Sequence, residues 1–162
     1  MFSLSGGSYV KTFRYDVLTD RKMTEVKYMT KEQIIVALKD AAKPYESYYI
    51  DDETGQAMMQ LPNPFELVEP ILDIIGTNPT VDFGMPGELV RFVESFYKKG
   101  YEELLIASVK KNPTEHNIWM VHRCFNDINN PMREKFKALI EELKEDSSVS
   151  EEVKNAIDDF NW

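Results

Sequence analysis

The sequence predicts a mainly α fold: an antiparallel helical array or irregular bundle, loosely like stacked helical repeats, in a single domain over residues 1–162. Three observations predict it. From residue 63 onward, apolar side chains recur at three- and four-residue spacings. The breaks between these runs are short and carry Asn-Pro, Pro-Thr or Ser, residues that cap or start helices. The chain has 162 residues, 43% hydrophobic and 29% charged, which suits one domain able to bury its own core. Short connections make neighbouring helices antiparallel. The punctuation recurs without a clean sequence repeat. Residues 1–62 read as less regular, with one helix and candidate short strands, and residues 63–162 as the helical array.

Taken in order, residues 8–29 hold Tyr9, Val10, Phe13, Tyr15, Val17, Val26 and Tyr28, β-favouring types that suggest a small β element at the N-terminal end. Thr30 to Lys43 reads as a helix. Thr30 and Gln33 have the spacing of a capping box, Ile34, Ile35, Leu38 and Ala42 form the stripe, and Pro44 ends it. Across 45–61, Tyr48-Tyr49-Ile50 and Ala57 to Leu61 flank Gly55, which predicts a short hairpin; an ordered acidic loop is the alternative. Asn63-Pro64 opens a helix carrying Leu67, Val68, Ile71, Leu72 and Ile75, which Pro70 should kink or split. After a loop from Gly76 to Pro86, helices are expected over Glu88–Lys99, Tyr101–Lys111, from Thr114 to Asn129, from Asn130 through Leu143, and after Ser150. Ile118, Val121, His122, Phe125 and Ile128 share one predicted face.

Charge narrows the function. There are 28 acidic and 19 basic side chains, a net charge of −9. Nucleic acid as a direct ligand is disfavoured, because phosphate binding needs clustered Lys and Arg. An acidic surface fits a basic protein partner, although acid can also serve solubility alone. Two segments hold the excess. Residues 44–90 carry 9 acidic and no basic side chains, and residues 141–162 carry 8 acidic and 2 basic. No apolar stretch approaches the roughly 20 residues of a membrane span. Met1 to Gly7 lacks a basic region before an apolar run, and one cysteine, Cys124, cannot form an internal disulfide. A cytoplasmic location is expected.

Few residues in the chain are patterned for chemistry. There is no Gly-rich phosphate loop and no nucleophile elbow. His116 and His122 are six residues apart and diverge on a helix, unlike the i, i+4 pair of a zinc helix. Asp51, Asp52 and Glu53 before Gly55 fail calcium-loop spacing. Neither a metal nor a cofactor is expected. Carboxylate pairs such as Asp51-Asp52, Glu102-Glu103 and Asp158-Asp159 could do acid–base work, but a solvated acidic face explains them more simply. Trp119 and Met120 read as core.

The run Phe83-Gly84-Met85-Pro86-Gly87-Glu88-Leu89-Val90-Arg91-Phe92-Val93-Glu94, with Tyr101-Glu102-Glu103-Leu104-Leu105, Asn112-Pro113-Thr114 and Trp119-Met120-Val121-His122-Arg123, resembles bacterial immunity proteins of contact-dependent growth inhibition and related polymorphic toxin systems. The shared pattern is a Gly-x-Pro-Gly turn, a helix with Phe and Glu, then Pro-Thr and a Trp-Met-x-x-Arg helix. It covers about residues 83–126, roughly a quarter of the chain, and His122 stands where the pattern has Asn. The resemblance implies a small cytosolic protein that is not an enzyme. Such a protein binds its cognate toxin domain, often a basic nuclease, and blocks its active site or substrate access. The motif would then be a scaffold of turns and helix packing.

The expected contact surface is the segment without basic residues, through Glu46, Asp51, Asp52 and Glu53, with Tyr48, Tyr49 and Met58 as anchors. The acidic C-terminal helix, with Glu151, Glu152, Asp158 and Asp159, is second. The expected partner is the toxin domain at the C-terminal end of a large secreted protein. Two rivals stand beside this reading: an acidic helical adaptor binding a host protein, and a hydrolase using a carboxylate cluster or His122. The hydrolase requires a deep pocket with at least two converging polar groups of shifted pKa.

Overall fold

A computed structural model describes residues 28–162, and these are mainly helical with no strand among them. The β element expected over 8–29 falls almost wholly outside the described residues. The helices are α1 (Lys31–Ala41), α2 (Asp52–Gln60), α3 (Val68–Thr77), α4 (Glu88–Glu94), α5 (Tyr101–Lys111), α6 (Glu115–Phe125), α7 (Arg133–Glu145) and α8 (Glu151–Asp158), with a 3₁₀ turn at Pro64–Leu67 before α3.

The core is built around α3. Val68, Ile71, Leu72, Ile74 and Ile75 are all buried, so this helix is covered on most sides. It packs against α1, α4, α5 and α6. Each fully buried Ile or Leu contributes about 1.5–3 kcal/mol. At the end of α3, Gly76 lies against Asn112, where an added Cβ would stand 3.3 Å from the Asn112 backbone oxygen. Ser108 donates to the Leu72 carbonyl at 3.1 Å, tying α5 to the same helix. The second half continues through α6, which packs on α5, α7 and α8.

Local signals explain most boundaries. The capping box at α1 is formed: Thr30 Oγ1 accepts from Gln33 N, and Gln33 Oε1 accepts from Thr30 N. Thr114 and Asn117 make a second one at α6. Pro70 occupies the third position of α3, where its missing N–H has no helical partner to lose, and the 3₁₀ turn precedes it.

Four expectations are corrected. Residues 52–60 form α2 instead of the second arm of a hairpin. Asp51 caps it by accepting from Thr54 N at 2.7 Å, and that local bond outweighs the turn signal of Gly55. Helix α4 ends at Glu94 instead of Lys99. The buried Glu102 carboxylate accepts from Lys98 N at 3.0 Å with both oxygens, and Lys98 and Gly100 take positive φ of 58° and 104°. Helix α6 ends at Phe125 instead of near Asn129, because Asp127 Oδ1 accepts from Asn129 N and folds the chain into a turn. Ile128 therefore leaves the predicted apolar face and is 79% exposed.

Candidate functional site

The basic-free segment is organised by one short pairing. After α1 the chain reverses through Pro44 and Tyr45, whose φ is 63°. Tyr45 N donates to Thr80 O at 2.9 Å, Asp82 N to Glu46 O at 3.0 Å, and Tyr48 N to Asp82 O at 2.7 Å. This makes a single parallel bridge between Ser47 and Asp82. It holds residues 45–50 beside the turn at 83–87, and Ile50 N reaches Glu88 Oε2 at 3.4 Å. The Met85–Pro86 peptide in that turn is cis.

Side chains alternate along this segment. Tyr48 turns inward, packs on Phe83 with ring centres 5.1 Å apart, and donates its hydroxyl to Leu38 O at 2.9 Å. Burial, with Glu88 adding to it, pushes that hydroxyl well above its ordinary pKa. Tyr48 is thus a half-buried support, a correction to its expected role as an anchor. Met58 is corrected too: at 2% exposure it belongs to the core of α2. Tyr49 is 68% exposed, as an anchor would be.

Three further apolar side chains of this segment and its turn are exposed: Tyr45 at 87%, Met59 at 70% and Met85 at 63%. The phase of α2 turns Met58 into the core and leaves Met59 at the surface. Glu46, Asp51, Asp52 and Glu53 are all exposed. Asp51 is also the helix cap, and hydrogen bonds from the Thr54 backbone and side chain hold its carboxyl below the usual range. An open depression of about 380 Å³ lies between Ile50, Asp52, Gly55, Met59 and Glu88. Apolar floor and acidic rim therefore share one corner of the molecule.

The second acidic segment sits elsewhere. Helix α8 packs on α6 and α7, whereas α2 packs on α1 and the 3₁₀ turn. Glu151 and Glu152 lie in the first turn of α8 behind the Ser150 cap, and Asp159 is at its other end. Asp158 is partly neutralised by Lys144 at 2.6 Å. The fold does not join this face to residues 46–53.

The residues of the resemblance join helices. Arg123 on α6 donates to both Glu94 oxygens on α4, at 2.6 and 2.9 Å, and lies 4.9 Å over the Trp119 ring. Trp119 is only half-buried. Cys124 is buried, and burial pushes its thiol up to about 12, which keeps it neutral. His122 stacks on Phe160 at 4.3 Å, with Trp162 edge-on. Of the carboxyls with shifted pKa, Asp51, Asp127, Asp146 and Glu152, each is lowered, so each favours the ionised form. Among the described residues, no group of three or more His, Cys, Asp or Glu could hold a metal ion. No helix among them is long and apolar enough to cross a membrane.

His116 links the candidate surface to α6. Its ring lies 5.7 Å from Phe83 and 5.4 Å from Trp119, and its buried Nε2 has no hydrogen-bond partner among the described residues. Burial holds its pKa below the ordinary 6.5, with Asp82 opposing. The unfolded chain then takes up a proton first as pH falls. This contribution to stability is full above pH 6.5 and is lost as pH drops from there through the lower native value. His122, also lowered by burial, acts in the same direction. Denaturation midpoints at pH 7.5 and 5.5 should differ, and less so in His116→Phe; an equal difference in both proteins would assign the effect elsewhere.

No protein-family model, curated protein or solved structure matches the chain.

Proposed function

We propose that this chain acts by binding another protein, as an immunity protein that neutralises a cognate toxin domain. The observation that carries the protein-binding reading is the placement of Tyr49, Tyr45, Met59 and Met85, all largely exposed, within the stretch that has no Lys or Arg from residue 44 to residue 90. Exposed aromatic and Met side chains anchor interfaces, and surrounding carboxylates steer a basic partner. A nuclease presents positive charge to hold its polyanionic substrate, so an acidic inhibitor can occupy the same ground. The resemblance over residues 83–126 supports the narrower reading. On this proposal the chain works in the cytoplasm, catalyses nothing, and blocks the active site of the toxin or its substrate access.

The test is affinity purification from the cells that make the protein, at moderate salt, with mass spectrometry of what co-purifies. A stoichiometric partner matching the C-terminal domain of a large secreted protein is the expected result. A host protein unrelated to any toxin would instead establish an adaptor. Recovery of the chain alone would count against both.

A further inference from the structure

The segment that carries Tyr49 has two edges, and the described residues use one of them. On the inner edge, Glu46 O accepts from Asp82 N, Tyr48 N donates to Asp82 O, and Ile50 N donates to the Glu88 carboxylate. In extended chain, alternate residues turn their peptide groups to opposite edges. Those of Ser47 and Tyr49 therefore face outward. Neither amide N–H has a hydrogen-bond partner among the described residues. Both residues are exposed.

An uncovered edge is a template for another strand. Proteins often protect such edges with Lys or Pro. Here the nearest lysine and proline, Lys43 and Pro44, lie in the turn before the segment and not along its edge, and no lysine follows until beyond residue 90. The flanking charge is acidic: Glu46 before the edge, Asp51 and Asp52 after it, and Glu88 across the segment. That charge repels a second copy of this acidic chain and suits a basic strand.

We infer that the Ser47–Tyr49 edge receives an extended, Lys- or Arg-bearing segment of the protein partner as an added strand. Main-chain hydrogen bonds to Ser47 and Tyr49 hold the segment, and its cationic side chains meet Glu46 and Asp52. An apolar residue of the segment rests on the exposed Tyr49 ring. The inference rests on the protein-binding reading above, and adds how the partner docks.

The test uses the full chain labelled with ¹⁵N and a blocked Lys-Val-Lys-Val-Lys peptide as probe. A twin peptide, N-methylated at both Val amides, keeps the charge and loses the backbone donors. The first peptide should slow amide exchange at Ser47 and Tyr49 about tenfold, and the twin should bind about tenfold more weakly, as loss of main-chain bonds requires. Equal binding of the two peptides would overturn strand addition and leave charge alone at work. Absence of binding by both would overturn it as well. Slow exchange at Ser47 and Tyr49 in the free protein would mean the edge is already covered, which also overturns it. The co-purification experiment makes no assumption about docking mode, so a captured partner with a failed peptide test would discard the edge alone.

Discussion

Gly87→Ala will destabilise this protein by about 3 kcal/mol, the upper end for overpacking a tight site. A Cβ built at Gly87 would collide with the Phe83 carbonyl oxygen and lie 2.9 Å from its carbon, while Gly84, at φ +73°, closes the turn from the other side. Backbone atoms cannot swing away as a flexible side chain would, so the turn must open. Phe83 is the ring on which both Tyr48 and His116 pack, and Glu88 follows the turn directly. Opening it therefore also loosens the pairing of residues 46–48 with Asp82. Gly55→Ala is the matched control of opposite sign. Its Cβ would meet only Ile50 Cδ1, at 3.8 Å, so the gain in helix propensity of about 1 kcal/mol should survive. Denaturant unfolding of the two variants reads the difference as a shift in midpoint. Equal stability of Gly87→Ala and the parent would mean that the turn is not as tight as described.

The second large effect is expected at the candidate surface. With the captured partner in hand, Tyr49→Ala should raise the dissociation rate and weaken binding by about 2 kcal/mol, roughly 30-fold, as loss of an interface anchor does. Asp52→Lys should act differently, lowering the association rate about tenfold at low salt and much less at high salt. Asp51 carries a second role, because its carboxylate caps α2 by accepting from Thr54 N. Asp51→Lys would remove the cap together with the charge, whereas Asp51→Asn preserves a capping oxygen. Kinetics that are unchanged in both Tyr49→Ala and Asp52→Lys would move the partner surface away from this corner.

The supports under that surface can be separated from the surface itself. Tyr48 donates to Leu38 O and packs on Phe83, and Met58 fills the core. Substituting either changes stability first, so a binding defect there reports on the scaffold. The fork from Arg123 to Glu94 has the same standing between α6 and α4. The acidic residues of α8 lie on a different part of the array, with Asp158 engaged by Lys144.

Helices with strong periodicity and local caps were legible in the sequence. Tyr101–Lys111 has its predicted bounds, and the helix expected from Asn130 through Leu143 forms as α7, with Phe136, Leu139, Ile140 and Leu143 buried on one face. Thr30 with Gln33 forms the box that the spacing implies, because both partners lie within one turn. Residues 45–61 were misread for an equally local reason. Tyr48, Tyr49 and Ile50 favour extended chain and do run outside helix, but the same bias was carried past Asp51, where a single side-chain bond to Thr54 N starts a helix. That shift of phase exchanged Met58 for Met59 at the surface.

By itself, the sequence determined the helical class, the order of the helices from residue 63 onward, the concentration of acid between residues 44 and 90, and the presence of Tyr49 within it, because periodicity, capping and charge are properties of neighbouring residues. The tertiary structure alone decided that Tyr48 faces the core, that Asp82 pairs with residues 46–48, and that Ile50 and Glu88 join Met59 around one depression. Those relations depend on hydrogen bonds and packing between segments that are not neighbours in the chain, such as residues 46–48 with Asp82, and local chain preferences carry no record of which distant backbone will be there to form the bond.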